Sequence, residues 1–92
     1  MAKRLIIIGR VQGVRYRVTF AETAIALGLT GWVRNRRDGS VEACVHGDDD
    51  AIAAIVNWAK RGPPAARVKD VVVTEGEEPM PDDGKFQILS TS

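Results

Sequence analysis

A glycine-bounded, arginine-rich segment near the start of the chain has the residues best suited to chemistry. It runs Gly9-Arg10-Val11-Gln12-Gly13-Val14-Arg15-Tyr16-Arg17 after a short apolar stretch. Such a loop between a strand and a helix can turn backbone amides inward as an anion nest, and the helix dipole adds to the field. Arg17 supplies a planar set of donors that matches phosphate geometry. The segment predicts a phosphate or carboxylate site, although plain turn glycines and solvated arginines would give the same residues.

Asn35 is the second residue with a chemical use. It shares strand parity with Val33, so at the end of its predicted strand it should face the helix-covered side of the sheet. An amide there can accept a hydrogen from a water molecule and keep a second lone pair for another contact. From the residues alone, the simpler interpretation is that Asn35 shapes the approach to the turn at Asp38-Gly39.

Hydrophobic periodicity and turn residues predict the elements that carry these groups. The predicted elements are a strand over 5–8, a loop over 9–15, a helix from Tyr16 to Gly28, strands over 31–35 and Val41–His46 joined at Asp38-Gly39, a helix opened by Asp48-Asp49-Asp50 and ended by Gly62-Pro63-Pro64, a strand over 68–74, an exposed loop over 76–84 and a closing strand over 86–89. The predicted buried stripe of the first helix is Tyr16, Phe20, Ala24 and Leu27, widened by Ala21 and Ile25.

This order of elements predicts a single domain over residues 1–92 with a ferredoxin-like α/β sandwich. The pattern is βαββαβ, with two helices on one face of an antiparallel sheet and a short extra C-terminal strand. A right-handed crossover makes the first two strands parallel, with the third between them. Their C-terminal ends then lie at one edge of the sheet, where the loop over 9–15, the start of the first helix and Asn35 should meet.

Composition and charge exclude several classes of protein. Thirteen basic and twelve acidic residues give a net charge of +1, which argues against an obligate nucleic-acid binder. The two predicted central strands have no aromatic residue to stack RNA bases. The apolar stretch over 5–8 is too short for a signal peptide, and none reaches the roughly 20 residues of a membrane span. With a single cysteine and hence no internal disulfide, the expected location is cytoplasmic.

The remaining reactive side chains have simpler interpretations. Cys44 lacks the arginine six residues later that cysteine phosphatases need, and fits a small strand residue. His46 is the only histidine and has no partner at metal-ligand spacing. The run Asp48-Asp49-Asp50 is explained by helix capping without an ion. Trp32 and Trp58 are expected to pack, with Trp32 also able to line a pocket rim. No metal and no cofactor are therefore predicted.

Two long segments resemble the signatures of the acylphosphatase family. They are 9–17 and Leu27-Gly28-Leu29-Thr30-Gly31-Trp32-Val33-Arg34-Asn35, the latter followed by Asp38-Gly39-Ser40-Val41-Glu42. The resemblance implies that Arg17 binds the phosphoryl group and that Asn35 positions the attacking water. It also implies a phosphate cradle formed by Arg10, Val11, Gln12, Gly13, Val14, Arg15 and Tyr16. Two departures are Tyr16, where phenylalanine is common, and Arg36, where a small or apolar residue often follows the asparagine.

The activity implied by this resemblance is hydrolysis of a carboxyl–phosphate bond. An acyl phosphate is a mixed anhydride with a good leaving group, so positioning and charge stabilisation suffice and no general acid is needed. The expected partners are an acyl phosphate and inorganic phosphate, bound by a monomer, with no nucleic acid and no membrane. The alternative is a non-catalytic ferredoxin-like module that binds phosphate or another ligand for regulation. The presence of both Arg17 and Asn35 favours catalysis.

Overall fold

Two helices pack on one face of a five-stranded sheet in the computed structural model, which describes residues 2–76 and 85–91. In chain order the elements are β1 (Ala2–Arg10), α1 (Tyr16–Ala26), β2 (Thr30–Asn35), β3 (Val41–His46), α2 (Asp49–Arg61), β4 (Arg67–Glu75) and β5 (Phe86–Ile88). The predicted order of elements and the ferredoxin-like fold class are confirmed. The predicted loop over 76–84 lies, apart from Gly76, outside the described residues.

The strands lie in the order β4-β1-β3-β2-β5. Both β1 and β2 pair antiparallel with β3, so they run parallel to each other with β3 between them, as the crossover rule predicts. β4 pairs antiparallel with the other edge of β1. β5 pairs with β2 in parallel, which makes the complete sheet mixed rather than wholly antiparallel.

β1 is longer than the predicted strand over 5–8, and it continues through Gly9. The register shifts between Ile8 and Gly9, and Gly9 then pairs with Val68 on β4. Gly9 has a φ of +135°, and a Cβ there would lie 2.2 Å from the carbonyl oxygen of Arg67. Glycine therefore permits the close approach of β4 instead of stopping the strand. The connection to α1 is shortened to residues 11–15.

The core lies between the helices and the covered face of the sheet. Leu5 and Ile7 of β1 are fully buried, as are Phe20 of α1 and Ile55 of α2. Full burial of one such side chain contributes about 1.5–3 kcal/mol to stability. The prediction for Ile25 is wrong: this side chain is 60% exposed. The buried residues of α1 are Tyr16, Phe20, Ala21 and Ala24, so the buried stripe is narrower than predicted.

The opposite face of the sheet carries a buried carboxylate. Glu42 of β3 accepts hydrogen bonds from Nε of Arg4 at 2.6 Å and from Nε of Arg34 at 2.8 Å. Burial alone would raise the pKa of Glu42, but the hydrogen bonds from Arg34 and Arg4 outweigh it and lower the pKa below its usual value. The guanidinium of Arg34 also lies 4.9 Å from the ring centroid of Trp32. The carboxylate thus joins three strands on the face that the helices leave open.

Candidate active site

A small pocket of about 120 Å³ lies at the edge of the sheet where β1 and β2 end. Within the described residues it is lined by Val11, Gly13, Arg15, Tyr16, Arg17, Val18 and Asn35. The pocket therefore brings together the loop after β1, the first turn of α1 and the last residue of β2. This is the convergence that the parallel arrangement of β1 and β2 predicts.

The loop backbone takes a conformation suited to an anion. Gly13 has a φ of +75°, and Arg15 has a φ of +63°, the only positive value at a non-glycine residue in the described ranges. Where residues in left-handed and right-handed conformations alternate, successive N–H groups turn toward one side, which is the geometry of an anion nest. A left-handed non-glycine residue costs about 1–2 kcal/mol, and such residues are concentrated at functional sites.

The N-terminus of α1 adds an uncompensated positive end to this loop. Arg15 is its N-cap residue, yet the Arg15 side chain makes no capping hydrogen bond, and the first turn has no acidic residue. The carbonyl oxygen of Arg15 accepts a hydrogen bond from the amide of Thr19 at 3.1 Å, so the helix itself begins normally. The first N–H groups of a helix have no partner within it, so an anion in the pocket can accept from them.

Arg17 and Asn35 are both half-buried and both line the pocket. Nη1 of Arg17 donates to the carbonyl oxygen of Leu89 at 3.2 Å. Asn35 ends β2 opposite Val41 of β3, which fixes its backbone within the sheet. Sequence reasoning missed the contact between Arg17 and Leu89, because the two residues are far apart in sequence and no motif links them.

The predicted cradle divides into two groups. Val11, Gly13, Arg15 and Tyr16 line the pocket, and Val18, which was not predicted, lines it too as the neighbour of Arg17.

The other three cradle residues have different surroundings. Arg10 is exposed at the end of β1, where it pairs with Arg67 of β4, and Val14 packs against the core. Nε2 of Gln12 donates to the carbonyl oxygens of Arg36 at 2.7 Å and of Ser40 at 2.9 Å. Gln12 therefore attaches the loop to the turn between β2 and β3, and so to the end of the strand that carries Asn35.

Tyr16 fastens the other end of the loop to α2. Its hydroxyl donates to the carbonyl oxygen of Ala59 at 2.7 Å, and its ring lies 5.4 Å from that of Trp58 between centroids. Burial raises the pKa of the Tyr16 hydroxyl, so it stays protonated as a donor. Its ring sits where phenylalanine is common, and the additional hydroxyl has its own partner. Packing by Trp58 is as predicted.

The described residues offer few groups for other chemistry. Across 2–76 and 85–91, no three His, Cys, Asp or Glu side chains lie close enough together to hold a metal ion. Cys44 is buried in β3, as its strand position predicts. None of the helices in these ranges has the length and apolar character needed to cross a membrane.

Comparison with known proteins gives consistent matches over nearly the whole chain. A family model described as Acylphosphatase matches residues 3–88. An acylphosphatase of Thiobacillus denitrificans is 59% identical over 71 residues, 75% of this chain and 80% of that protein. One of Anaeromyxobacter dehalogenans is 49% identical over 85 residues, 92% and 90% of the two chains. The crystal structure of acylphosphatase from Bacillus subtilis superposes with a TM-score of 0.88 at 38% identity, covering 96% of this chain and 97% of that one.

Proposed function

Because the chain belongs to the acylphosphatase family, we propose that it hydrolyses acyl phosphates to a carboxylate and inorganic phosphate. The observation that carries the proposal is the meeting of Arg17, Asn35 and the left-handed loop residues Gly13 and Arg15 in one pocket. The proposed enzyme is a single domain over residues 1–92 that acts as a cytoplasmic monomer on a small-molecule substrate. It needs no nucleic acid, membrane or cofactor for the chemistry below.

In the proposed mechanism, Arg17 and the loop amides bind the phosphoryl group. The guanidinium and the N–H groups of the loop and first helical turn are donors set in place before the substrate arrives. They neutralise the phosphoryl oxygens as charge redistributes in a loose transition state. The cradle consists of the loop over 10–16. Gln12 attaches this loop to the turn between β2 and β3, and Tyr16 attaches it to α2.

Asn35 then positions the attacking water. Its amide accepts a hydrogen from the water and directs the oxygen at phosphorus, opposite the carboxylate leaving group. The phosphorus–oxygen bond to the acyl group breaks as the new bond to water forms, and the electron pair leaves with the carboxylate. The water's proton passes to a phosphate oxygen. This route predicts no enzyme base with a pKa near neutrality, so a steep pH–rate dependence there would contradict it.

The test is hydrolysis of benzoyl phosphate with a chelator present. We expect Asn35→Ala to lower kcat by about 100-fold or more, because positioning supplies much of the barrier reduction. Inhibition by inorganic phosphate should persist in that variant, since the phosphate contacts remain. Asn57→Ala, at an exposed position of α2, is the matched control and should match the parent protein. Full activity in Asn35→Ala would refute its role with water, and loss of activity on chelation would refute the metal-free mechanism.

A further inference from the structure

The segment over 85–89 contacts both elements that carry the proposed catalytic residues. Its first carbonyl, at Lys85, accepts from the amide of Gly31 at 3.3 Å, and its last amide, at Leu89, donates to the carbonyl of Val33 at 2.9 Å. These bonds attach the segment along β2, which ends at Asn35. Its Phe86 ring lies 5.8 Å from that of Phe20 in α1. The segment is therefore held between β2 and the helix that carries Arg17.

Leu89 extends this attachment to the Arg17 side chain itself. Its amide donates to Val33, and its carbonyl accepts from Nη1 of Arg17 at 3.2 Å. One residue thus links the backbone of β2 to the guanidinium in the pocket. Arginine has five N–H donors, so one can be committed to a carbonyl while others remain for a phosphate. Without such a contact, a half-buried arginine keeps rotamers that must be lost on binding.

We propose that the backbone carbonyl of Leu89 is a positioning group for Arg17, a role that rests on the proposed function. Through the bond to Val33, it fixes the guanidinium relative to the strand that ends at Asn35. The guanidinium that binds the phosphate and the amide that positions the water are thereby held in a fixed relative position. Loss of the contact between Leu89 and Arg17 leaves the reaction possible. The substrate must then order the Arg17 side chain, which weakens substrate binding.

The first test is Leu89→Pro in the full-length chain. Proline has no N–H, so the substitution removes the bond to Val33 and releases the carbonyl from its anchor. We expect KM for benzoyl phosphate and the inhibition constant for inorganic phosphate to rise about three- to tenfold, the net worth of one ordinary intramolecular hydrogen bond. Thr91→Pro is the matched control, because it places proline at an exposed position and leaves the Leu89 amide intact.

The role through Arg17 is tested by combining variants. In an Arg17→Ala background, Leu89→Pro should cause no further rise in the inhibition constant, because the group being positioned is absent. An equal rise in both backgrounds would mean a merely structural effect and would overturn the proposal. An unchanged KM and inhibition constant in Leu89→Pro would overturn it too. If the parent protein is inactive or Arg17→Ala is fully active, the proposed function fails instead.

A measurement on the folded parent protein covers the case in which Leu89→Pro does not fold. The carbonyl carbon of Leu89 should change its NMR chemical shift between the parent and Arg17→Gln, because it loses a charged hydrogen-bond donor. The carbonyl of Lys85, whose partner is the amide of Gly31, should not change and is the internal reference. An unchanged Leu89 resonance would overturn the proposal.

Discussion

The two helices of this protein begin in opposite ways. α2 has Asp48 as its N-cap, whose side chain accepts from the amide of Ala51 at 2.8 Å, and Asp49 and Asp50 follow in the first turn. α1 begins at a left-handed arginine, Arg15, with no side-chain cap and no acidic residue in its first turn. The first turn of α2 is supplied with carboxylates by its own sequence. The corresponding turn of α1 borders the pocket that contains Arg17 and Asn35.

The difference shows how the same backbone groups can stabilise one helix and, in the proposed function, bind phosphate at the other. Every helix N-terminus has unpaired amides and a positive dipole end. At α2 the Asp48 side chain accepts from one of these amides, and the acidic residues of the first turn oppose the dipole, which stabilises the fold. At α1 the side-chain cap is missing, and the N-cap residue Arg15 has the left-handed conformation that an anion nest requires. A bound anion can then provide the negative charge that the first turn of α1 lacks. This is the binding step of the proposed function.

The largest expected effect is stabilisation of the fold by bound phosphate. Inorganic phosphate at about 100 times its dissociation constant should raise the free energy of unfolding by about 2.7 kcal/mol. Thermal unfolding with increasing phosphate, at constant ionic strength, measures this. Phosphate also stabilises proteins by exclusion from their surface, so Arg17→Ala is the control for that effect. Equal stabilisation of the parent and Arg17→Ala would show that the α1 pocket is not the phosphate site.

A carboxylate placed at the start of α1 should have the next largest effect. Arg15→Asp gives α1 an acidic N-cap residue, and both Asp and the neutral control Asn tolerate the left-handed conformation. We expect Arg15→Asp to weaken phosphate inhibition about tenfold more than Arg15→Asn does, because the new charge repels phosphate and competes for the amides. Competitive inhibition of benzoyl phosphate hydrolysis measures it. Equal inhibition constants in the two variants would mean that phosphate does not bind at these amides.

Much of this architecture could be predicted from the sequence, because local chemistry determines it. The capping of α2 by Asp48, the turn at Asp38-Gly39 and the parallel placement of β1 and β2 follow from short patterns and a handedness rule. These features suffice to bring the loop and Asn35 to one edge of the sheet. The proposed role of Asn35 itself came from the family resemblance.

The remaining features depend on contacts between distant segments. The sequence pattern predicts a strand that ends before Gly9, whereas close approach by β4 makes Gly9 part of β1. β5 joins β2 in parallel, and its continuation carries Leu89 to Arg17. Periodicity predicts that the Tyr16 ring packs in the core, but it does not predict the hydrogen bond from the Tyr16 hydroxyl to the backbone of α2. Periodicity describes which face of an element is buried, whereas these contacts depend on which segments become neighbours.

The smallest expected effect is at α2 and completes the comparison. Asp48→Ala should lower the free energy of unfolding by about 1 kcal/mol, because the amide of Ala51 loses its acceptor. In a domain of this size that is a fall of about 4–8 °C in Tm. Asp48→Asn keeps an acceptor and should retain most of the stability. Phosphate inhibition should stay the same in both variants, because neither alters the loop or the start of α1. If Asp48→Ala changed phosphate inhibition as strongly as stability, the two helix ends would not be separate in function, and the assignment of binding to α1 alone would be wrong.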